Sequence, residues 1–407
     1  MRRYLVWGLP IAVILVVGAW VALALRFPPR LPAVPQELTT RAVVPGIPNA
    51  RYWIGEDIQP FIRDVIAARQ REEAFLARSG HVGDIPPADI LAVSGGGDKG
   101  AFGAGLLCGW TAAGNRPRFK AVTGVSTGAL IAPFAFVGTE YDEVLRKVYT
   151  QVKPADISEH RTIFAAVGDD GMADNHPLWG LITKLVDEKL LARIAEEHER
   201  GRILLVATTN LDAREPVMWN MGNIAASRDP RALDLFRNIL LASAAIPGAF
   251  PPTMLRVEVD GKPYDEMHVD GGASTQVFLY PPRMRGVART MGHDMTRQAR
   301  VYIIRNSQLG AAWEPVERRT ISIAGRAIGS LIHTQGIGDL YRIYVTAQRD
   351  GLDFNLAYIG PEFTYANKKE EFDTGFMAAL FDYGYGLASQ GYPWKKLPPG
   401  LDEASGR

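Results

Sequence analysis

The chain has 407 residues, and its 45 lysine and arginine residues are nearly balanced by 44 aspartate and glutamate residues, which leaves a net charge of +1. This balance argues against a nucleic-acid-binding protein, because such proteins carry a clustered excess of basic residues. The single cysteine, Cys108, excludes an internal disulfide bond. The fold must therefore depend on a large hydrophobic core, for which the chain is long enough.

The first predicted element is an apolar segment, Tyr4 to Leu25, which contains no charged residue and matches the roughly 20 residues that cross a bilayer. We interpret residues 1–26 as a transmembrane anchor. A cleaved signal peptide is the alternative, because Ala22 to Ala24 offers a cleavage motif. The arginines at both ends weakly favour a cytoplasmic N-terminus, which puts the rest of the chain on the periplasmic or extracytoplasmic side.

Two connecting segments follow the apolar segment. Residues 27–50 are rich in proline and lack apolar periodicity, a composition typical of an extended tether. Residues 51–88 form a helical lead-in, because Asp57 to Arg78 alternates apolar and charged residues at helical spacing.

The most distinctive part of the sequence is a pair of glycine-framed turns. SGGGDKG runs from Ser94 to Gly100 after the apolar run Ile90 to Val93, and GVSTG runs from Gly124 to Gly128 after Phe119 to Val122. Each turn precedes a segment of small residues that is compatible with a helix. Both are therefore predicted to connect a strand to a helix.

Ser126 stands at the centre of the second turn. In a G-x-S-x-G turn, the glycines avoid clashes with the adjoining strand and helix, and the serine hydroxyl lies at a helix N-terminus, where unpaired N–H groups favour negative charge. Such a serine is suited to nucleophilic attack on an acyl group. The consecutive Gly95, Gly96 and Gly97 can direct backbone N–H groups toward the oxyanion that this attack creates.

Beyond Gly128, predicted helices and strands alternate, which is typical of an α/β fold. The predicted helices are Thr139 to Gln151, Leu178 to Arg200, Ile321 to Tyr344 and Phe372 to Ser389, and the predicted strands are Arg202 to Thr209, Val217 to Met221, Tyr264 to Val269 and Arg300 to Arg305. No linker-like stretch divides this part of the chain. We therefore expect one catalytic domain over residues 89–283 and a C-terminal α/β extension, largely helical, over residues 284–407.

A third motif, MHVDGG from Met267 to Gly272, ends an apolar, strand-like segment with an acid. Asp270 at this strand end can accept the proton of Ser126, while Gly271 and Gly272 let another backbone come close. A hairpin turn at D-G-G is the purely structural alternative.

Together, the three motifs resemble those of the patatin-like phospholipase family, which carries a G-G-G-x-R/K-G loop, a G-x-S-x-G turn and a D-G-A/G acid in this order. The resemblance covers residues 89–280, and Lys99 and Gly100 fill the last two positions of the loop motif. It implies a three-layer α/β/α sandwich with a central, mostly parallel sheet. It is also compatible with a bacterial member that is anchored to a membrane or exported.

The resemblance implies a reaction as well. Ser126 is expected to be the nucleophile and Asp270 the proton acceptor, with Gly95 to Gly97 as the oxyanion hole. The expected substrates are phospholipids or other acyl lipids in a membrane, hydrolysed without a metal, another cofactor or a nucleotide. The residues expected to support the three motifs are Lys99, Gly100, Gly124, Gly128, Gly271 and Gly272.

Nucleotide and metal sites are weaker alternatives. Gly95, Gly97 and Gly100 satisfy G-x-G-x-x-G, but the following RFKAVTG region lacks the acid that binds a ribose in dinucleotide sites. The DEMHVD segment, from Asp265 to Asp270, clusters potential metal ligands. Strand alternation divides these ligands between two faces, and no second cluster completes a site.

A Ser-Asp-His esterase acting on non-lipid esters also stays open, because the serine turn is common to both kinds of enzyme. Its base would be His268, His293 or His333. His268 lies only two residues before Asp270, which is too close for the usual relay between separate loops. A catalytically silent, membrane-tethered scaffold is the non-enzymatic alternative.

Overall fold

The computed structural model describes residues 30–401, except residues 54, 56, 158, 161–170, 172, 311–312, 314 and 367, and it also describes Gly18. The predicted membrane anchor thus lies, apart from Gly18, outside the described residues. In the described ranges, no helix is both long enough and apolar enough to cross a membrane.

One mixed sheet joins strands from most of the described chain. The strands are β1 (Arg51–Trp53), β2 (Ala88–Val93), β3 (Ala121–Val125), β4 (Glu159–His160), β5 (Ala173–Asp174), β6 (Ile203–Asn210), β7 (Glu215–Asn220), β8 (Thr253–Val259), β9 (Lys262–Asp270), β10 (Ala299–Arg305) and β11 (Asp353–Tyr358). The order in the sheet is β1-β7-β6-β3-β2-β10-β11, and β9 pairs with both β6 and β8. Strands β4 and β5 form a separate pair.

Neighbouring strands from β6 to β11 in this order run parallel. They are continuous apolar runs, such as Ile203 to Ala207, because helices cover both faces of a parallel sheet. Strands β7 and β9 run antiparallel to β6. The sheet is therefore mostly parallel, with its antiparallel strands at and beyond β6.

Helices flank the sheet on both faces. They are α1 (Gln59–Arg78), α2 (Gly100–Ala112), α3 (Thr127–Val137), α4 (Asp142–Gln151), α5 (His176–Leu185), α6 (Glu188–Glu199), α7 (Met221–Ala226), α8 (Ala232–Ala244), α9 (Met284–Thr290), α10 (Thr320–Asp350) and α11 (Thr374–Ser389). Helices α2 to α8 and α11 share the largest core on one face. Helices α1, α9 and α10 cover the other face, so the predicted three-layer α/β/α architecture is confirmed.

The proline-rich segment belongs to the folded domain from residue 30 onward. Val34 and Ala42 pack against side chains of the β8–β9 hairpin. Backbone hydrogen bonds of 3.0 and 2.9 Å join Val43 to Glu258 in both directions. Residues 30–50 are thus packed on the domain, with a 3-10 helix at Gln36–Arg41, rather than forming the extended tether that their composition suggests.

The helix predicted from Leu178 to Arg200 is two helices, α5 and α6. The chain leaves the helical conformation at Val186, and the Asp187 carboxylate accepts the Leu190 N–H at 2.8 Å. Aspartate at this position stabilises the start of a new helix. The apolar periodicity continues across the break and conceals it.

The C-terminal region contributes strands as well as helices. Strand β10 pairs with β2, and β11 pairs with β10, so this region extends the central sheet. The long helix α10 connects these two strands and exceeds its predicted bounds, because it runs to Asp350.

Candidate active site

Strand register brings Ser126 and Asp270 together. Strand β3 pairs with the first part of β6 and ends with Val125 opposite Ala207. Strand β9 pairs with the next part of the same β6 edge and places Asp270 opposite Thr208. Because Ser126 directly follows Val125, the serine and the aspartate leave adjacent positions on one edge of β6.

Ser126 occupies a sharp turn between β3 and α3. Its backbone has φ 55° and ψ −126°, a left-handed conformation that is strained for a residue with a side chain. The Ser126 N–H donates to the Ser243 hydroxyl at 3.0 Å, and that hydroxyl donates to the Ala207 carbonyl at 2.8 Å. The fully buried Ser243 thus fastens the strained turn to strand β6.

The two glycines of this turn are required by close backbone approach. A Cβ atom on Gly124 would lie 2.4 Å from the Gly128 carbonyl oxygen, and one on Gly128 would lie 2.3 Å from the Val93 carbonyl oxygen. Neither position has room for a side chain. This is the crowding that the G-x-S-x-G pattern predicts.

Asp270 is almost completely buried, with 4% of its surface exposed. Its carboxyl oxygen accepts the Gly272 N–H at 2.7 Å. Burial raises the pKa of this carboxyl to about 7, while interactions with the Ser126 side chain and the Gly272 N–H oppose the rise. A carboxyl group with a pKa near neutrality is suited to act as a general base.

The D-G-G sequence forms a short 3-10 turn, Gly271–Ala273, and not a hairpin. A Cβ atom on Gly271 would lie 2.5 Å from the Ala207 carbonyl oxygen. The turn is therefore pressed against β6, where the motif was expected to allow close approach. The Thr209 hydroxyl, which donates to the Asp270 carbonyl at 3.0 Å, holds the same turn.

The glycine loop after β2 presents two of its three amides. The Gly95 N–H donates to the Gln276 carbonyl at 3.0 Å, so this amide is already engaged, unlike the free donor that the motif predicts. In the described part of the chain, the Gly96 and Gly97 amides have no such acceptor. Gly97 also has φ 59° and open space where its Cβ would lie, so the available donors are Gly96 and Gly97.

Asn306, directly after β10, holds the glycine loop in place. Its side-chain N–H donates to the Ser94 carbonyl at 2.9 Å, and its side-chain oxygen accepts the Gly103 N–H at 3.0 Å. The Ser94 hydroxyl accepts the Asn306 backbone N–H at 2.8 Å. This fully buried residue was not predicted from the sequence, although a polar residue two positions after the apolar run Val301 to Ile304 was an available signal.

Residues 91–281 match the model of the patatin-like phospholipase family. The chain carries a patatin-like phospholipase domain. The domain marks the chain as a hydrolase, and the match includes the Ser126 turn, the Asp270 turn and the whole glycine loop.

Comparisons with whole proteins add structural matches of low sequence identity. No curated protein matches the chain. Among solved structures, VipD from Legionella pneumophila is 13% identical with a TM-score of 0.38, over 75% of this chain and 67% of that chain. Human GIVD cytosolic phospholipase A2 in complex with methyl gamma-linolenyl fluorophosphonate is 11% identical with a TM-score of 0.33, over 81% of this chain and 62% of that chain. This chain thus spans less than two thirds of the human enzyme.

In the patatin-like domain, Lys99 lies within the glycine loop, and its residue surface is exposed although protein atoms surround its ammonium group. Surrounding protein atoms lower the pKa of its ammonium group, and Lys368 and Arg305 lower it further. The preceding Asp98 is buried and pairs with Lys368 at 2.7 Å. Its carboxylate also accepts the Phe372 N–H at 3.0 Å, so the loop is tied to the C-terminal region.

The candidate histidines of a relay have other partners. His268 is fully buried between Thr208, at 2.8 Å, and Glu266, at 3.1 Å. His333 is half-buried, with its pKa lowered by burial and by Arg305 and Lys99. His293 is exposed after α9. Within the described residues, none of the three has a hydrogen bond to Ser126 or Asp270.

The DEMHVD segment is an ion-pair site. Glu266 pairs with the buried Arg51 and with His268, and Asp265 pairs with Arg256 at 2.6 Å. Across the described parts of the chain, no cluster of three or more acidic, histidine or cysteine side chains has the arrangement of a metal site. Two of the four potential ligands, Asp265 and Glu266, are thus engaged with arginines instead.

Proposed function

We propose that this protein hydrolyses fatty-acyl esters of phospholipids or lysophospholipids through a Ser126–Asp270 dyad. The observation that carries the proposal is the meeting of these two residues on one edge of β6, with the buried Asp270 carboxyl interacting directly with the Ser126 side chain. A buried carboxylate that lacks a cationic partner retains its affinity for a proton. It can therefore act as the base for an adjacent hydroxyl without an intervening histidine.

In the first step, the Ser126 oxygen attacks the acyl carbonyl carbon while the Asp270 carboxylate takes the hydroxyl proton. The resulting tetrahedral oxyanion accepts hydrogen bonds from the Gly96 and Gly97 amides. Such donors are effective because the folded loop fixes them before charge develops. The anchoring of the loop by Asn306 and Gln276 supports this arrangement.

Collapse of the oxyanion breaks the ester bond, and the departing lipid alkoxide receives the proton held by Asp270. The fatty acyl group remains as an ester on Ser126. Asp270 then takes a proton from a water molecule, whose oxygen attacks this acyl ester. Collapse of the second oxyanion breaks the bond between the acyl group and the Ser126 oxygen, which takes the proton back from Asp270 as the fatty acid leaves. The same acid–base group thus acts in both halves of the reaction.

A dyad fits the geometry better than a Ser-Asp-His relay. In a relay, the histidine lies between the serine and the acid. Here the acid interacts with the serine itself, while His268 is held by Glu266 and Thr208. Replacement of His268, His293 or His333 by alanine is therefore expected to leave the dyad operating in each folded variant.

We also propose that the protein works at a membrane, with its catalytic domain on the extracytoplasmic side. The support is the apolar segment Tyr4 to Leu25 and the arginines that flank it. The test is protease accessibility of the domain in intact spheroplasts of a Gram-negative host. Protection of the domain in spheroplasts, with digestion only after lysis, would contradict this location.

Fatty-acid release from defined phospholipids tests the function. The full chain is compared with Ser126→Ala and Asp270→Asn, in the presence of a chelator. Matched controls are Ser79→Ala and Asp260→Asn, because both residues are exposed and remote from the dyad. We expect chelator-resistant release that is lost in the two site variants and kept in both controls.

Two results would contradict the proposal. Release from short-chain esters but from no lipid would indicate an esterase with another substrate. Equal release by Ser126→Ala and the unchanged protein would remove Ser126 from the reaction. Circular dichroism of each variant ensures that a loss of activity reflects chemistry and not misfolding.

A further inference from the structure

The long helix α10 has two dissimilar halves. In its second half, Leu340, Ile343 and Ala347 are buried against the sheet. In its first half, Ile323, Ile328 and Leu331 are 53%, 44% and 70% exposed. The first half of the helix thus carries apolar side chains that the rest of the protein does not cover.

The exposed apolar side chains share one side of the helix. At 3.6 residues per turn, Ile323, Ile328 and Leu331 fall within an arc of about 140°. The opposite side carries Ser322 and His333, which are half-buried. The exposed Gly325 and Gly329 lie near this opposite side as well, so the first half of the helix is open on more than one side. Its exposed apolar side is the reverse of that expected for a helix facing water.

Little protein packs beside this first half. A Cβ atom on Gly325 or Gly329 would have no neighbour within 4 Å outside the helix itself. Just before the helix, Trp313 is 88% exposed and Val316 is 43% exposed. The outward apolar side therefore continues into the segment that leads to the helix.

The same helix is connected to the catalytic machinery. The Asp339 carboxylate accepts the Gln276 N–H at 2.7 Å, and the Gln276 carbonyl accepts the Gly95 N–H of the glycine loop. Arg305, at the carboxyl end of β10, donates to the His333 carbonyl at 3.4 Å. A surface that holds the first half of α10 therefore lies close to the glycine loop.

We propose that the first half of α10, together with Trp313, inserts its apolar side into the lipid bilayer that holds the substrate. The choice of a bilayer as the occupant rests on the proposed lipid-hydrolase function. An exposed apolar helix side with a tryptophan nearby is typical of segments that lie in the interface of a membrane. We call residues 313–332 the insertion segment.

Charge near the insertion segment favours an anionic bilayer. The exposed Arg318 and Arg319 stand where the helix begins, and Arg319 pairs with Glu317 at 3.4 Å. Three arginines and two glutamates leave the segment with a net positive charge. Basic residues beside an apolar side strengthen binding to negatively charged lipid head groups.

The inserted side chains also explain how a substrate reaches a buried serine. A phospholipid must leave its bilayer before its ester reaches Ser126, which is only 7% exposed. Insertion beside the glycine loop shortens the path of the phospholipid from the bilayer to Ser126. Moving three half-exposed apolar side chains into the acyl region strengthens binding by on the order of a hundred-fold.

A fluorescent probe on the helix tests insertion directly. The full-length Ser126→Ala protein is given Leu331→Cys and labelled with a polarity-sensitive fluorophore. The native Cys108 is buried and burial raises its pKa to about 12, so it resists labelling. Matched controls are Ser322→Cys, on the opposite side of the helix, and Val82→Cys, at an exposed apolar residue outside the segment.

We expect the Leu331 probe to shift to shorter wavelength on vesicles of phosphatidylcholine and phosphatidylglycerol, more than on phosphatidylcholine alone, and to be quenched by a quencher on the acyl chains. The two controls should respond weakly. No response at Leu331, or an equal response at Ser322, would overturn the proposal. The probe is carried by the Ser126→Ala protein, so insertion is measured independently of hydrolysis. If the Leu331 probe inserts but the unchanged chain hydrolyses no lipid, insertion stands and the proposed function is contradicted.

Two other occupants have distinct results, and each would overturn the proposal. Shielding of the Leu331 probe that grows with protein concentration in the absence of vesicles would indicate a second copy of the chain. Shielding without vesicles at every concentration would indicate that another part of the chain, such as residues 1–29, covers the helix.

An activity ratio gives a second measurement. Ile323→Gln combined with Leu331→Gln keeps good helix formers at both positions. We expect the rate on vesicles, divided by the rate on a soluble short-chain ester, to fall by about ten-fold or more. Val82→Gln is the control, and an unchanged ratio in the double variant would contradict insertion.

Discussion

Two buried acids at the two ends of one strand segment have opposite chemistry. Glu266 and Asp270 both lie on β9, and 1% and 4% of their surfaces are exposed. Burial raises the pKa of each, but Arg51 and His268 reverse this for Glu266 and lower its pKa to about 2. No cation among the described residues pairs with Asp270, so the pKa of this carboxyl stays at about 7. With similar burial, Glu266 is thus held as a structural anion by Arg51, whereas Asp270 retains the proton affinity of a base because it lacks such a partner.

The largest expected difference between the two acids is in catalysis. Asp270→Asn removes the base and is expected to lower kcat by roughly a thousand-fold or more. Glu266→Gln touches no reacting atom, and its kcat per folded molecule should stay within a few-fold. Steady-state kinetics corrected for the folded fraction measures kcat for both variants. A comparable fall of kcat in both would contradict the different roles of the two acids.

Stability is expected to respond in the reverse order. Glu266→Gln leaves the charge of Arg51, whose side chain is only 4% exposed, without its anion. Loss of one partner of a buried ion pair costs about 3–5 kcal/mol of unfolding free energy. Urea denaturation at neutral pH measures this cost. A loss below about 1 kcal/mol would mean that the pair is not buried as described.

Asp270→Asn is expected to stabilise the protein at neutral to alkaline pH. With a pKa raised from 3.8 to about 7, the folded state binds a proton between these values that the unfolded state lacks. The free energy of unfolding therefore falls as pH rises through this window and stays lowered above pH 7. Asn avoids the buried charge, with a gain of about 2–4 kcal/mol at pH 8 and little gain at pH 4.

The control for this prediction is Glu266, whose shift has the other sign. Its stabilising contribution is present above the ordinary pKa of 4.5 and is lost as pH falls toward about 2. From pH 4 to pH 8, the free energy of unfolding relative to the unchanged protein should therefore rise for Asp270→Asn and fall for Glu266→Gln. A gain for Asp270→Asn that is equal at the two pH values would contradict the raised pKa.

The smallest expected effect concerns Ser243, which holds the Ser126 turn through a hydrogen bond. Ser243→Ala leaves the Ser126 N–H without its acceptor, which costs about 1–3 kcal/mol of stability. The strained turn loosens, and kcat should fall by about ten-fold with little change in KM. Rescue by Ser243→Thr, which keeps a hydroxyl, would identify the hydrogen bond as the cause. Unchanged kcat in the alanine variant would show that the Ser126 turn keeps its conformation without the Ser243 hydrogen bond.

The proximity of Ser126 and Asp270 was predictable because its determinants are local in sequence. Ser126 and Asp270 stand in short motifs whose glycines have one physical reason, the close approach of another backbone. The order of strands and helices around them also follows from alternating apolar runs. The fold class and the family were therefore available from the sequence alone.

The frame of the site was not predictable, because its residues act through contacts that exist only in the fold. Asn306 and Ser243 are ordinary polar residues in sequence, and each fixes a backbone that is distant along the chain. The loss of Gly95 as an oxyanion donor has the same origin, since its acceptor is Gln276. Local patterns thus predict which residues meet at the site, whereas tertiary packing determines which backbone amides remain without an acceptor.

The most direct test of the central claim is the rate at which a fluorophosphonate ester labels the serine, measured by mass spectrometry between pH 5 and pH 9. With Asp270 as the only base, a single adduct should form on Ser126, and its rate should fall about ten-fold per pH unit below about pH 7. Labelling should be lost in Asp270→Asn and retained in His268→Ala, His293→Ala and His333→Ala. Loss of labelling in any of these histidine variants, while the variant remains folded, would contradict the dyad.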